Sequence, residues 1–230
     1  VPVIAPGHIS DSFEDQVHEL TAMTGTGVDA VILITNRLAK EEESDEVWLA
    51  NLQALLDKLP SRVPLGFYEC PYPYKRVLSP KVTRWCAESG RFFFLKDTCC
   101  DIQQIKEKLD ICRDSNLKLY NANTSTLLES LRYGATGYSG VMANMQCDLY
   151  AWLCAHPQDE KAEELSQELT ICSLIERQLY PVNAKYYLSL EGLSITTECR
   201  SKRAEDLTPT FRTEVEMLRQ ITKRMADKYL

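Results

Sequence analysis

The sequence predicts an α/β chain: six units of a (β/α)8 TIM barrel, followed by a C-terminal helical extension. Three observations carry that expectation. A short β-branched or aromatic run, a polar stretch and a longer helical segment recur six times before Pro157, at about the 30-residue period of a βαβ unit. Strand runs such as 28–35 (VDAVILIT) are apolar on both faces, as in parallel sheets covered by helices. A doubly wound sheet would place G-x-G-x-x-G after its first strand, and that motif is absent; Gly25-Thr26-Gly27 precedes a strand and reads as a helix-ending turn.

In chain order, residues 1–5 read as the first strand and 13–23 as the first helix, with Ser10, Asp11 and Ser12 offering N-caps. Strand 28–35 leads to a helix over 44–59, whose start receives favourable charge from Glu41-Glu42-Glu43-Ser44-Asp45-Glu46. Strand 64–69 precedes helix 80–89, with Pro80 suited to its first turn. Strand 91–96 precedes helix 101–115, and strand 117–121 precedes helix 124–133, closed by Gly134. Strand 137–142 and helix 146–155 complete the alternation. Beyond Pro157 three helices follow without a strand, over 158–179, 183–192 and 210–229. The expected division is therefore barrel units over 1–157 and a helical extension over 158–230. Phe211, Val215, Leu218 and Ile221 recur at helical spacing as a core or interface stripe, and Tyr180, Tyr186 and Tyr187 read as packing or subunit-interface residues.

Composition narrows the function classes. With 44% apolar and 26% charged residues the chain can bury a sizeable core. No apolar stretch approaches the roughly 20 residues of a membrane helix, and the start lacks the charged and apolar regions of a secretory leader. A net charge of −7, with basic residues scattered among acidic ones, argues against nucleic acid as a partner. Nine cysteines, at 70, 86, 99, 100, 112, 147, 154, 172 and 199, include no C-x-x-C pair and read as reduced, small apolar residues of a cytoplasmic protein. His8, His18 and His156 are dispersed, so no metal site is expected.

In a barrel, chemistry sits at the C-terminal ends of the strands. Lys96 ends Phe92-Phe93-Phe94-Leu95, a strand with no other polar side chain before it, and period two puts it on the face of Phe92 and Phe94. Facing the barrel interior, its amine would be desolvated and able to attack a ketone; facing out, it is an ordinary solvated lysine. Tyr68 shares its face with Gly66, which would leave room for a phenol that passes protons, or for a rim tyrosine with a satisfied hydroxyl.

These stretches together resemble the dihydrodipicolinate synthase and N-acetylneuraminate lyase family of class I aldolases. Tyr68-Glu69-Cys70-Pro71 is similar to the family's Tyr-x-x-Pro, and Leu95-Lys96-Asp97-Thr98 to its Schiff-base segment. The two stand 28 residues apart, as in the family. Gly134-Ala135-Thr136-Gly137 with Ala143-Asn144 resembles its Gly-Ala-x-Gly…Ala-Asn. The likeness runs from Val1 to about Leu179. It implies that Lys96 forms an imine with a 2-oxo acid such as pyruvate, that Tyr68 relays protons, and that Ala122 and Ser139 contact the keto acid through backbone groups. It also implies a homodimer or homotetramer, and no cofactor beyond the lysine itself.

Four departures accompany the likeness. Residues 1–5 match the family's third strand, so two βα units, roughly 60–70 residues, would stand before Val1. Thr35-Asn36-Arg37-Leu38 lacks the tyrosine pair of many relatives. Pro73 occupies the place of an arginine, with Lys75-Arg76 slightly further on. Phe94 replaces a glycine, which narrows the space beneath the amine. The alternative is a barrel retained as a non-catalytic binding or assembly protein.

Overall fold

The computed structural model describes residues 1–230 of the chain as two compact units. The first comprises Val1–Asn121 with Tyr133–Gly137, the second Ala122–Arg132 with Tyr138–Leu230. Strands and helices alternate from β1 (Ile4–Pro6) and α1 (Phe13–Thr24) through β2 (Ala30–Ile34), α2 (Asp45–Leu56), β3 (Leu65–Tyr68), α3 (Pro80–Glu88), β4 (Phe92–Asp97), α4 (Ile102–Cys112), β5 (Lys118–Asn121), α5 (Leu127–Tyr133) and β6 (Gly137–Tyr138) to α6 (Cys147–Ala155). Helices α7 (Ala162–Cys172), α8 (Val182–Leu190) and α9 (Pro209–Tyr229) follow. The six strands form one sheet in the order β1-β2-β3-β4-β5-β6. The first four neighbouring pairs are parallel. Strand order that follows chain order, with no reversal, belongs to barrel winding and not to a doubly wound sheet. Six consecutive strands are present, and a closed eight-stranded barrel is not shown.

Local chemistry explains where the helices begin. Ser12, Ser44 and Ser79 each accept a backbone N–H of the helix that follows, Asp101 accepts two, and Thr208 caps α9. Asp45 and Glu46 occupy the first turn of α2, where negative charge meets the positive helix end. Helices α1 to α4 bury Leu20, Trp48, Leu52, Val82 and Ile105 against Val31, Leu33, Leu65, Phe67, Phe92, Leu95 and Leu119 of the strands. In the second unit, α9 contributes Val215, Leu218 and Met225 to a core with Leu149, Leu165 and Tyr187, while Ile221 of the expected stripe is 38% exposed.

Several elements are shorter than the apolar pattern predicts. The first strand starts at Ile4, because the Asp29 carboxylate takes the Val3 N–H at 2.7 Å. Asn123 caps a 3-10 turn over Thr124–Thr126, which delays α5 to Leu127. Strand β6 stops after two residues: the Tyr138 ring folds over Gly140, where a Cβ would lie 2.1 Å from it, and the chain turns into a 3-10 segment over Val141–Asn144. The helix expected over 158–179 begins at Ala162, then tightens after Cys172 into a 3-10 turn over Ser173–Arg177.

His8 ties β1 to β2. Its ring is 2% exposed; Nε2 accepts the Ile34 N–H at 2.7 Å, so Nδ1 carries the proton and donates it to Gln16 Oε1 at 3.0 Å. Burial lowers the imidazole from its usual 6.5 to about 4. Between those values the unfolded chain binds a proton that the folded chain refuses, so stability falls as pH drops through that window, by about 3 kcal/mol in all. Urea unfolding at pH 7 and pH 4.5 is expected to show that loss in the wild type. A His8→Asn variant should lose less over the same interval, and an equal loss would remove His8 as the cause.

Candidate active site

Tyr68, the last residue of β3, is in register with Lys96 of the parallel strand β4. That register brings the two side chains to one face of the sheet about 5 Å apart. The Lys96 Nζ lies over the Tyr68 ring, 4.4 Å from its centroid, with both residues half-buried. An ammonium over a phenol ring is attracted by the ring's negative face, which favours this placement of a long, flexible side chain. The register continues outward to Ile34 on one side and Tyr120 on the other. Lys96 is thus the one amine in a row of Ile34, Tyr68, Lys96 and Tyr120. Tyr120 was not singled out by sequence reasoning, although the alternation Lys118-Leu119-Tyr120 places it on the Lys96 face.

Two expectations about this face need correction. Phe92 does not share it: the β3–β4 register shifts between Leu65 and Gly66, pairing Leu65 with Phe92 but Gly66 with Phe94. The extra residue, Phe93, is 44% exposed, and Phe92 turns to the helix-covered side, where its ring lies 4.4 Å from that of Phe67. Gly66 does not leave room either. A Cβ there would sit 2.7 Å from the Phe94 carbonyl oxygen and 2.8 Å from Phe94 Cβ and Ile32 Cδ1. Phe94 fills the vacated space and stacks on Tyr120 at 4.7 Å, a floor of aromatic rings. Gly66→Ala is expected to cost roughly 1–3 kcal/mol by overpacking, since the nearest obstacle is backbone. Thermal unfolding checks this, and an unchanged midpoint would mean that the strands part freely.

The loops after the strands are held by polar side chains. Thr35 donates its hydroxyl to the Arg76 carbonyl at 2.7 Å, and Asn36 donates to the carbonyls of Cys70, Tyr72 and Tyr74. Arg76 bonds the Lys40 and Glu43 carbonyls, so it anchors a loop and does not project toward a substrate. Lys75 reaches across to the Thr98 carbonyl at 2.8 Å, two residues beyond Lys96. A cavity of about 530 Å³ opens beside this loop, lined by Asn36, Arg37, Lys40 and Tyr74 among others; neither Lys96 nor Tyr68 lines it.

Behind the pair, on the helix-covered side, lies an ion cluster that sequence reasoning missed. Glu69 and Asp97 directly follow Tyr68 and Lys96, and both carboxylates are fully buried. Lys108 of α4, 2% exposed, donates to Glu69 Oε1 and Asp97 Oδ2, each at 2.6 Å. Glu69 also accepts the Leu78 and Thr98 N–H groups at 2.9 Å, and Asp97 accepts the Cys99 N–H at 3.0 Å. Burial raises the Glu69 carboxyl above its ordinary value despite the pull of Lys108. Burial alone would lower the Lys108 ammonium, but attraction to the two carboxylates outweighs it and leaves it raised. The signal was present in the sequence: Lys108 interrupts the apolar stripe Ile105, Leu109, Cys112.

All nine cysteines are free thiols. Burial beside Asp97 pushes Cys99 up to about 12, which makes it a poor nucleophile. Ala122, the residue after β5, and Ser139, the residue after β6, are half-buried and belong to the second unit. There Tyr138 stacks on Tyr150 with centroids 4.1 Å apart, and the Thr124 hydroxyl bonds both phenols, at 3.2 and 2.8 Å. No helix is long and apolar enough to cross a membrane.

Comparison with known proteins bears on the fold and the family. A search of curated proteins finds no match. Among solved structures, dihydrodipicolinate synthase from Acinetobacter baumannii complexed with pyruvate superposes with a TM-score of 0.82 at 20% identity, covering 97% of this chain and 75% of that one. A prophage protein of the dihydrodipicolinic acid synthase family from E. coli K12, also complexed with pyruvate, gives 0.82 at 16% identity, with 97% and 76% covered. A monomeric dihydrodipicolinate synthase variant gives 0.80 at 19% identity over all of this chain and 75% of its own. At such identities the likeness concerns the fold. The model of the dihydrodipicolinate synthetase family matches residues 1–221, nearly the whole sequence, and on that match the chain belongs to this family.

Proposed function

We propose that the chain carries out class I aldolase or lyase chemistry, forming a lysine Schiff base with a 2-oxo acid such as pyruvate. The observation that carries this reading is the Lys96 amine 4.4 Å above the Tyr68 ring at the ends of neighbouring strands. The unprotonated Lys96 Nζ attacks the ketone carbon, giving a carbinolamine. The hydroxyl of that carbinolamine leaves as water after accepting a proton, and in this reading the Tyr68 phenol donates it and takes one back. The resulting iminium draws electrons from the adjacent carbon, which then loses a proton to give an enamine or breaks its bond to the next carbon. The lysine itself is the electron sink, so no cofactor enters. The resemblance assigns Ala122 and Ser139 to backbone contacts with the keto acid. A cytoplasmic homodimer or homotetramer, with barrel units over 1–157 and a helical extension over 158–230, belongs to the same proposal.

One observation favours the alternative of a non-catalytic binding or assembly protein. The segment Thr35-Asn36-Arg37-Leu38, where many relatives carry a tyrosine pair, holds no aromatic, and its Thr35 hydroxyl is committed to the Arg76 carbonyl. Incubation with pyruvate and borohydride, followed by peptide mass spectrometry, separates the two. The expected result is a reduced pyruvyl group on the peptide containing Lys96. No adduct with pyruvate or with a panel of 2-oxo acids, on folded protein, favours the binding role.

A further inference from the structure

We propose that the buried Glu69–Lys108–Asp97 cluster is a positioning device that holds Tyr68 and Lys96 opposite one another. The proposal deepens the Schiff-base reading and rests on Lys96 being the reactive amine. Its basis is connectivity. Tyr68 and Lys96 face one side of the sheet, and the residues immediately after them, Glu69 and Asp97, face the other. Lys108 bonds both carboxylates at 2.6 Å and so pins the ends of β3 and β4 together from behind. The Glu69 N–H bonds the Lys96 carbonyl at 3.2 Å, and the Thr98 hydroxyl bonds the Glu69 carbonyl at 2.7 Å, extending the tie past both reactive residues. Glu69 also fixes the following loop through Leu78.

A core built for stability alone would do as well with apolar side chains here, since buried ion clusters are often matched or surpassed by packed hydrocarbon. What the ions add is a fixed geometry. Two carboxylates converge on one ammonium, so Glu69 and Asp97 cannot slide along their strands without breaking a short, charge-assisted bond. Without Lys108 the two carboxylates repel each other, the strand ends part, and the ring of Tyr68 moves off the Lys96 amine.

The experiment compares wild type, Lys108→Met and the conservative Lys108→Arg, with folding checked by circular dichroism. Two quantities are read: the rate constant and half-saturation of pyruvate adduct formation, and the labelling of Lys96 by an amine-reactive reagent relative to exposed Lys58. The second needs no chemistry on pyruvate. In folded Lys108→Met the adduct rate constant is expected to fall about 100-fold, as a displacement near 1 Å would cause, with little change in half-saturation. The Lys96 to Lys58 labelling ratio is expected to rise severalfold, and Lys108→Arg to recover much of both. Should Lys108→Met not fold, Asp97→Asn carries the same test, because it keeps the shape and weakens one arm. Folded variants with wild-type rate constants and an unchanged labelling ratio overturn the proposal. If the wild type forms no adduct, the Schiff-base reading fails, and the labelling ratio alone decides whether the cluster positions Lys96.

Discussion

Lys96→Ala is expected to abolish the borohydride-trapped pyruvate adduct, leaving only the background that pyruvate gives with any surface lysine. The mechanism gives this substitution nothing to fall back on, because the ε-amine is both nucleophile and electron sink. Lys75, whose amine bonds the Thr98 carbonyl two residues beyond Lys96, is a second amine on these loops, so Lys75→Ala serves as the control and should still trap on Lys96. Tyr68→Phe keeps the ring under the ammonium but removes the proton carrier. It should therefore slow adduct formation by roughly 10²–10⁴-fold while the adduct still maps to Lys96. The pattern of abolished, slowed and unchanged trapping distinguishes nucleophile, proton relay and bystander. A specific adduct that survives Lys96→Ala, or Tyr68→Phe with wild-type kinetics, would contradict the assigned roles.

The juxtaposition of Tyr68 and Lys96 was legible because period two and the strand-end rule act locally. Each of Tyr68 and Lys96 can be placed from its own strand, and their parallel register follows from consecutive strands pairing as neighbours. The bulge at Phe93 was not legible. Nothing in Phe92-Phe93-Phe94 favours one aromatic over another for the core, and the choice is made by Phe67, a long way off in sequence. The same limit hid the Lys108 cluster. Glu69 and Asp97 look like solvated charges when read singly, Lys108 shows only as a break in the stripe Ile105, Leu109, Cys112, and only the fold shows that the three neutralise one another. Strand β6 was over-read for a related reason: 137–142 is apolar enough for a strand, but the contact of the Tyr138 ring with Gly140 bends the backbone away. Tyr120 was visible in the alternation but carries no motif, and its place beside Lys96 emerges only from the β4–β5 register.

Lys108→Ala is expected to destabilise the protein by about 3–5 kcal/mol, because it leaves two buried carboxylates without their shared cation. For a chain of this size that corresponds to a midpoint lower by roughly 6–20 °C. The deficit should also depend on pH, in a direction opposite to ordinary acid denaturation. Burial already raises Glu69 in the native protein, and without Lys108 no cation offsets the repulsion from Asp97. The variant therefore binds a proton in its folded state that its unfolded state releases above the ordinary carboxylate range. The contribution of this site to the variant's stability is greatest below that range and is lost as pH rises, so the gap to wild type widens from pH 5 to pH 8. Adding Glu69→Gln and Asp97→Asn to Lys108→Met removes the uncompensated charge while leaving carbonyl oxygens for the Leu78, Thr98 and Cys99 N–H groups. That triple variant should regain much of the lost stability and lose the pH dependence. Stability regained without a return of the Lys96 adduct rate would separate what the ions do for the fold from what they do for the placement of Tyr68 and Lys96.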